Sequence, residues 1–381
     1  MPGRGGGPEA GEGIRLTGEQ KRAWLRLIRS ENVGPQTFRS LINHYGSAAA
    51  ALRALPELSK RGGARRTLKI ASEAEVEREL AAAARIGADF IGVGEPHYPP
   101  WLRQAEQPPP LIALRGDAAL LARPAVAIVG SRNASIAGKR MAARLARGLG
   151  EAGFTIVSGL ARGIDAAAHE AALGTGTVAV FAGGVDIVYP PEHEALLERI
   201  LAAQGALVSE MPMGWTPRAR DFPRRNRIIA AMTLATVVVE AAERSGSLIT
   251  ARLALEENRE VMAVPGSPLD PRASGTNGLI KKGARLVTDA ADIVEALSPM
   301  LALPKREGFE LPKKTPPPAM VEPAGEERAK VVDALGPVPV TVDDLIAETG
   351  LAARIVSVIL LELELAGRLE RHPGGRISLI F

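Results

Sequence analysis

The 381-residue sequence contains no cysteine and few aromatic residues. Without cysteine, the chain cannot form a disulfide framework, a thiolate zinc site or a cysteine nucleophile. Phenylalanine, tryptophan and tyrosine together make up 3% of the residues, which argues against a binding site built as a row of stacked rings. The sequence also lacks an uninterrupted apolar run of the roughly 18 residues that indicate a membrane-spanning helix.

Familiar catalytic signatures are missing as well. The sequence has no HExxH, GxSxG or GxxxxGK[ST] motif, and its five histidines form no obvious metal cluster. We therefore expect no catalytic residue, no metal and no cofactor. The first residues, MPGRGGGPEAGEG, are rich in glycine and lack the apolar core of a signal peptide. This predicts a cytoplasmic protein without a membrane partner, in which residues 1–13 form a disordered tail.

Residues 14–85 are predicted to form an N-terminal helical domain of the SAM or helix-hairpin-helix kind. Trp24, Leu27 and Ile28 recur at helical spacing, and Val33-Gly34-Pro35 interrupts the pattern before it resumes. A Gly-Pro turn between two helices is typical of a helix-hairpin-helix, which binds the DNA backbone, but the second glycine of that motif is missing. The alternative is a plain helical packing module.

Residues 86–300 alternate short β-branched apolar runs with amphipathic helical stretches. This pattern predicts an α/β fold with a parallel, doubly wound sheet of the Rossmann-like kind. Continuous apolar runs suit strands that are covered on both faces. The predicted strands are 125–129, 155–157, 178–181, 206–208, 237–239 and 261–264. Ligands of such a sheet bind outside the carboxyl ends of the strands.

The rest of the chain divides into a linker and a C-terminal domain. Residues 301–325 contain six prolines, which predicts an extended Pro-rich linker. Residues 326–381 show three helical patterns and a hairpin turn at Gly374-Gly375, which predicts a winged-helix-like domain. Acids outnumber bases there by about three, the wrong sign for binding a DNA backbone. We therefore expect this domain to pack against protein or to support a dimer.

Two loops at the predicted strand ends have the chemistry of phosphate sites. Gly130-Ser131-Arg132 follows a strand directly and leads into a helix, whose start would supply free N–H groups and a positive dipole end. Arg132 adds a charged fork suited to phosphate. Ser245-Gly246-Ser247 opens another helix in the same way, shortly after Glu240. We expect both helix starts to receive phosphates, and the alternative for the loop at Gly130-Ser131-Arg132 is a merely structural turn.

Two further loops give weaker signals. The stretch 158–165 combines glycines, Arg162 and a helix start, in which Asp165 is either a ligand-facing carboxylate or a helix cap. His169, one turn later, could face the same cleft, although a lone histidine is more often structural. The loop at Gly183-Gly184, which leads to Tyr189, is either a tight turn or a ligand contact.

The segment from Arg218 to Arg227 carries the strongest signal. It contains five arginines and one acid, Asp221, and such a density of like charge is favourable where phosphates neutralise it. Phe222 lies among the arginines and could stack on a base while the guanidinium groups hold the backbone. One or two of these arginines are expected to pair with core acids instead. The segment predicts one wall of a polyanion-binding cleft.

Together these motifs resemble the DNA-processing protein A family (DprA, also called Smf) over nearly the whole chain. The segments that carry the resemblance, in specific order and spacing, are 130–132, 158–165, 222–230, 245–251, 263–266 and 275–284. Asn258 departs from the glycine usual in the family, and asparagine tolerates the left-handed conformation expected there. Gly183-Gly184 differs slightly from the family's GxG form.

The resemblance implies a single-stranded-DNA-binding protein that protects incoming strands and loads RecA recombinase during natural transformation or recombination. It also implies an extended Rossmann-like form of the doubly wound sheet, and a homodimer. Within the basic pocket, the residues expected to bind DNA are Gly130, Ser131, Arg132, Arg162, Phe222, Arg224, Arg225, Asn226, Arg227, Ser245, Gly246 and Ser247.

Two other functions stay open at the level of the sequence. One is a nucleotide-processing enzyme, such as a phosphoribohydrolase on a related Rossmann fold with a PGGxGTxxE signature. The match is poor because Ser245-Gly246-Ser247 is followed by no glutamate at the corresponding spacing. The other is a structural adaptor, which would leave the arginine segment without an explanation.

Overall fold

The fold is described from a computed structural model, which covers residues 15–302, 322–372 and 374–380. The predicted tail at 1–13, and the predicted linker except for its ends, lie outside these residues. The described chain divides into two compact units. The first extends from Glu79 to the end of its described segment at Ala302, and the second combines Leu16–Arg78 with the described residues from Glu322 onward.

The first unit is built on a sheet that contains nine strands among the described residues. They are β1 (Ala88–Gly92), β2 (Leu111–Gly116), β3 (Ala125–Val129), β4 (Thr155–Ser158), β5 (Thr177–Val180), β6 (Ala206–Ser209), β7 (Ala235–Val238), β8 (Glu260–Ala263) and β9 (Arg285–Leu286). Their order is β1-β2-β6-β5-β4-β3-β7-β8-β9. The strands from β6 to β9 in this order run parallel, and β1 and β2 extend the β6 edge antiparallel.

The doubly wound sheet predicted from the sequence is confirmed. All six predicted strands are present, and every residue of β3 to β7 is buried, as expected for strands covered on both faces. β1, β2 and β9 are additional strands that we did not predict. β9 has only two residues, both exposed, so it leaves no apolar pattern in the sequence.

Eight α-helices of the described residues accompany this sheet, beyond the one that contains the boundary between the units. They are α5 (Pro100–Arg103), α6 (Ile136–Glu151), α7 (Ile164–Ala171), α8 (Glu194–Ala202), α9 (Asp221–Ala231), α10 (Gly246–Glu256), α11 (Ser274–Lys281) and α12 (Ala290–Ala302). Just after α10, Asn258 adopts the predicted left-handed conformation, with a φ of 54°. Across the described ranges, no helix combines the length and the apolarity needed to cross a membrane.

The strand order places a topological switch point between β3 and β7. From β3 the chain proceeds through α6 to β4, β5 and β6 on one side, whereas β7, β8 and β9 extend the sheet on the other side. The loops that leave β3 and β7 therefore diverge and open a crevice at the carboxyl ends of these strands. This crevice holds the candidate site.

The N-terminal part of the second unit is helical, as predicted. It consists of α1 (Gly18–Arg29), α2 (Pro35–Tyr45), α3 (Ala48–Arg61) and the start of α4 (Glu73–Arg85). α1 begins with a capping box, in which Thr17 accepts a hydrogen bond from the Gln20 N–H and the Gln20 side chain accepts one from the Thr17 N–H. The apolar face of α1, including Trp24 and Leu27, is buried.

The C-terminal part has the predicted winged-helix arrangement. Its elements are α13 (Gly325–Ala334), β10 (Val340–Thr341), α14 (Val342–Thr349), α15 (Ala353–Leu365), β11 (Leu369–His372) and β12 (Arg376–Leu379). The strands form a sheet in the order β10-β12-β11. Thr341 caps α14 by accepting from the Asp344 N–H, and Gly350 ends the helix with a left-handed φ of 63°.

Within the second unit, α15 packs against the N-terminal helices. The Leu365 carbonyl accepts hydrogen bonds from the Asn32 side-chain amide at 3.0 Å and from the Ser59 hydroxyl at 3.4 Å. Arg368 donates to the Gly62 carbonyl at 3.2 Å, and a Cβ atom at Gly62 would overlap the Glu362 carbonyl oxygen. The two terminal modules, which we predicted from separate segments, therefore form one body.

Candidate nucleic-acid interface

A cleft of about 1030 Å³ lies at the switch point of the sheet. The loops after β3, β4 and β7 contribute to its lining, together with the start of α9. Ten of the twelve residues predicted to bind DNA line it, namely Gly130, Ser131, Arg132, Arg162, Phe222, Arg225, Asn226, Ser245, Gly246 and Ser247. Arg224 and Arg227 do not.

The loop after β3 presents an exposed arginine to the cleft. The guanidinium of Arg132 lies 5.3 Å from the centre of the Phe222 ring, and among the described residues it forms no ion pair. The neighbouring Ser131 is held in place, because its N–H donates to the Glu240 carbonyl at 2.7 Å and its hydroxyl accepts from the Asn133 N–H at 3.2 Å. Arg132 is therefore a charged group free to meet an anion.

The start of α6 differs from our prediction. Instead of leaving free N–H groups for a phosphate, it is closed by two side chains. Ser135 accepts a hydrogen bond from the Gly138 N–H at 2.9 Å, and the Glu240 carboxylate accepts from the Ser135 N–H at 2.9 Å and from the Ser135 hydroxyl. The sequence could not reveal this arrangement because Glu240 comes from the distant end of β7.

The start of α10 is open, in agreement with our prediction. Ser245 is the N-cap, and its hydroxyl accepts a hydrogen bond from the Ser247 N–H at 3.4 Å and lies 2.7 Å from the Ser247 hydroxyl. A Cβ atom placed on Gly246 would meet no atom within 4 Å. The first turn of α10 lines the cleft, so the positive end of its dipole is accessible to an anion.

Arg225 lies on the floor of the cleft and is buried to 6% exposure. Its guanidinium donates to the Gly159 carbonyl and, at 2.8 Å, to the Val180 carbonyl, and its Nε donates to the Asn226 side chain at 3.1 Å. Burial lowers the pKa of Arg225 to about 10, so the group is still charged at neutral pH. Arg225 thus links the carboxyl ends of β4 and β5.

Asp165 stabilises the loop after β4 at the floor of the cleft. Its carboxylate accepts hydrogen bonds from the N–H groups of Gly159 at 3.0 Å and of Ala161 at 3.3 Å. Burial raises the pKa of Asp165, and the charge of Arg225 opposes this shift. Of the two roles that the sequence left open for Asp165, the structure supports the structural one, because the carboxylate orders the loop after β4.

His169 does not line the cleft. It is fully buried on α7, where its Nδ1 lies 2.7 Å from the Thr177 hydroxyl. Burial lowers the pKa of His169 to about 3, so the ring is neutral at physiological pH. The structural interpretation of this histidine is therefore the one that the structure supports.

Arg224 and Arg227 are engaged with a single buried acid. The Glu210 side chain is 5% exposed, accepts from Arg224 Nε at 2.8 Å and also pairs with Arg227. Arg227 further donates to the Gln107 carbonyl at 2.7 Å. This matches the expectation that one or two arginines of the segment pair with core acids, and it leaves these two outside the lining of the cleft.

Two aromatic rings meet at the rim of the cleft. The centres of the Tyr189 and Phe222 rings are 5.4 Å apart, and their planes are inclined by 57°. Tyr189 is 46% exposed and lines the cleft. We did not include Tyr189 among the predicted site residues, and its signal in the sequence was only the loop at Gly183-Gly184 that leads to it.

Two further arginines border the cleft. Arg162, which we predicted, lies at the rim and forms an exposed ion pair with Glu192. Arg244, which we did not predict, is exposed immediately before the α10 N-cap, and in the described parts of the chain it has no ion-pair partner. The rim therefore combines Arg132, Arg162 and Arg244 with the open start of α10 and an aromatic pair.

The fold and the cleft define an extended Rossmann-like protein with an anion-receptive crevice at its switch point. Comparison with known families makes this more specific. Residues 89–298 match the family described as DNA recombination-mediator protein A, residues 18–82 match a DprA-like N-terminal HHH domain, and residues 314–375 match a DprA winged helix domain. The chain belongs to the DNA recombination-mediator protein A family, as its motifs predicted.

Individual relatives agree with this assignment. Protein Smf of Escherichia coli K12 is 42% identical over 310 residues, which cover 80% of this chain and 81% of that protein. DNA processing protein DprA of Bacillus subtilis is 41% identical over 226 residues, covering 58% of this chain and 76% of that one. The crystal structure of DprA from Streptococcus pneumoniae superposes with a TM-score of 0.62 at 32% identity, covering 74% of this chain and 98% of that one.

A second similar structure was described for the way in which its protein binds single-stranded DNA. DNA processing protein A from Helicobacter pylori, described for its single-stranded DNA binding mode, superposes with a TM-score of 0.51 at 28% identity. The match covers 57% of this chain and 99% of that one.

Proposed function

We propose that the cleft binds single-stranded DNA, mainly through its phosphates. The observation that carries this proposal is the exposed guanidinium of Arg132, which lies beside the Phe222–Tyr189 pair. The open start of α10 and Arg244 line the same cleft. Guanidinium groups and an open helix start suit a chain of phosphates, and aromatic rings suit the bases between them. The described binding mode of the Helicobacter pylori relative supports the same ligand.

A single strand fits this geometry better than a duplex. In a duplex the faces of the bases are stacked on one another, so the rings of Phe222 and Tyr189 would have no base to contact. In a single strand, an exposed base can stack on a ring while neighbouring phosphates meet Arg132 and Arg244. The small number of aromatic residues at the rim means that phosphate contacts supply most of the affinity.

The protein would act as a non-catalytic, cytoplasmic mediator. Membership of a recombination-mediator family supports a role in recombination. We propose that this role is to load RecA recombinase onto single strands and to protect them, during natural transformation or recombination, with a homodimer as the working form. Two carboxylates beside the cleft, Asp165 and Glu240, support binding over catalysis. Asp165 is engaged with loop amides and Glu240 with Ser135, so neither is poised as an acid or base.

Equilibrium binding of one oligonucleotide sequence, as a single strand and as a duplex, tests the ligand directly. We expect the single strand to bind at least about tenfold more tightly at the same ionic strength, since only it offers both phosphates and free bases. Equal affinities for the two forms would contradict the proposal.

A second assay separates the mediator from an enzyme. The full chain should accelerate RecA assembly on a long single strand, measured by the RecA ATPase, and it should release no base from a nucleoside 5′-monophosphate. Base release would instead support the nucleotide-processing alternative. No effect on RecA assembly would contradict the mediator role.

A further inference from the structure

The start of α6 occupies the position at which many Rossmann-type proteins bind a phosphate. It follows β3, the strand at the switch point, and the helix start after such a strand offers N–H groups and a positive dipole end. In this protein neither Ser135 nor Ile136 lines the cleft. The group that closes this position is a side chain from the neighbouring strand.

Glu240, two residues beyond the end of β7, fills the position with both its backbone and its side chain. Its carbonyl oxygen accepts from the Ser131 N–H at 2.7 Å. Its carboxylate accepts from the Ser135 N–H at 2.9 Å and from the Ser135 hydroxyl. The backbone contact continues the pairing of β3 with β7, whereas the carboxylate takes up two donors at the start of α6 that a bound phosphate could otherwise use.

The sequence of α6 is complementary to this carboxylate. A Cβ atom on Gly138 would lie 2.5 Å from the carboxyl carbon of Glu240 and 2.6 Å from one of its oxygens. Any residue with a side chain at Gly138 would force the carboxylate away from the helix start. Gly138 thus leaves the space that the Glu240 carboxylate occupies at the start of α6.

The start of α10 shows the contrast. It also follows a strand end at the switch point, but it opens directly into the cleft, and a Cβ atom on Gly246 would meet no atom of another segment within 4 Å. One of two neighbouring helix starts is therefore closed by an internal anion, and the other is available. A strand of DNA needs only the open one, because its phosphates can spread over α10, Arg132 and Arg244.

We propose that the Glu240 carboxylate is an internal substitute for phosphate, which excludes the phosphate of free nucleotides from α6 and reserves the cleft for a polymer. A mononucleotide gains most of its affinity from a single enclosed phosphate site, whereas a polymer gains it from several shallow contacts. Closing the enclosed site therefore weakens the binding of free mononucleotides far more than the binding of single-stranded DNA. This inference rests on the proposed function for its polymer, but the exclusion of phosphate can be measured without DNA.

The test is a gain of binding in Glu240→Ala. Titration calorimetry with inorganic phosphate and with a nucleoside 5′-monophosphate should show binding about tenfold or more tighter than for the wild type. The reason is that the variant removes a carboxylate that both occupies the start of α6 and repels phosphate by its negative charge. The matching nucleoside without a phosphate should show no gain. The control is Glu243→Ala, which removes an exposed acid three residues away and should bind phosphate as the wild type does.

Three results would overturn the proposal. They are a folded Glu240→Ala variant that binds phosphate no better than the wild type, an equal gain in the Glu243→Ala control, or a wild type that already binds the monophosphate equally well. Should Glu240→Ala not fold, Glu240→Ser keeps a hydroxyl beside Ser135 while opening the site. For this variant the melting temperature should rise with phosphate but not with chloride at equal ionic strength, and no such rise would count against the proposal.

Single-strand affinity, measured in parallel on the wild type, keeps the two proposals separate. Failure of the wild type to bind the oligonucleotide would contradict the proposed function. It would leave the phosphate measurement on Glu240→Ala as an independent test of the internal anion.

Discussion

The floor and the rim of the cleft use the same residue type for opposite purposes. On the floor, Arg225 is buried and donates to the carbonyls of Gly159 and Val180, and Asp165 orders the loop that contains Gly159. On the rim, Arg132 is exposed beside Phe222 and, within the described chain, has no ion-pair partner. Arg225 uses three of its five N–H donors within the fold and so has fewer left for a ligand than Arg132. The density of arginines in a sequence therefore identifies the neighbourhood of a site but not the residues that contact the ligand.

The largest effect is expected on the floor. Arg225→Ala should lower the free energy of unfolding by roughly 3–5 kcal/mol, because it leaves the buried Asp165 carboxylate without its cation and two carbonyls without a donor. Denaturant unfolding measures this loss. Arg220→Ala, in the same segment but exposed, should change stability by no more than about 0.5 kcal/mol. Equal losses in both variants would remove the distinction between floor and rim.

The next effect is on binding, at the rim. Arg132→Ala should weaken single-stranded DNA binding by roughly 1.5–3 kcal/mol, since it removes a charge-assisted contact to phosphate, while stability stays nearly constant. Fluorescence anisotropy with a labelled oligonucleotide measures the affinity. Arg140→Ala, which removes an exposed arginine of α6 outside the cleft lining, is the matched control. The comparison fails if the control loses as much affinity as Arg132→Ala.

The aromatic pair should contribute less than Arg132. Tyr189→Leu should cost roughly 1–2 kcal/mol of single-strand affinity by removing a surface on which a base can stack, whereas Tyr189→Phe should retain it. Phe222→Leu should behave like Tyr189→Leu. Because the two rings touch, the double variant should lose less than the sum of the single losses. Retention of full affinity by Tyr189→Leu would show that this ring is not part of the interface.

The smallest expected effect is a dependence of stability on pH, and it comes from the buried His169. Burial lowers the pKa of His169 to about 3, against about 6.5 in an unfolded chain. Between these values the unfolded state binds a proton that the folded state does not, so stability falls as the pH drops below 6.5 and is constant above it. Protonation of this histidine in the unfolded chain should lower the free energy of unfolding by about 1.4 kcal/mol at pH 5.5.

Denaturant unfolding at pH 8 and pH 5.5 measures that dependence. His169→Asn, which keeps a polar atom near Thr177, should remove this part of the acid sensitivity. His97→Asn, at an exposed position, should not. If both variants lose stability with acid as the wild type does, burial of His169 is not the cause.

Much of the architecture could be predicted from the sequence because it follows from local patterns. Continuous apolar runs identified β3 to β8, and three helical patterns followed by the Gly374-Gly375 turn indicated the winged helix. The twelve predicted site residues included ten that line the cleft, since glycine-rich turns and arginine density are also local signals.

What could not be predicted depends on pairings between distant segments. Glu240 reaches Ser135 only because β7 lies beside β3 in the sheet, and Glu210 pairs with Arg224 and Arg227 only after β6 and α9 have met. In the second unit, the Asn32 amide meets the Leu365 carbonyl across 333 residues of sequence. No residue pattern encodes such partners individually. These long-range pairings determine which of the charged residues remain available to a ligand.

The central claim is that phosphates meet the rim and not the floor. The salt dependence of single-strand affinity tests it most directly, because each phosphate contact adds to the slope of log K against log salt concentration. We expect Arg132→Ala to reduce that slope by about 0.7 to 1, and Arg225→Gln, measured where it is folded, to leave it unchanged. A reduced slope for Arg225→Gln together with an unchanged slope for Arg132→Ala would contradict the account.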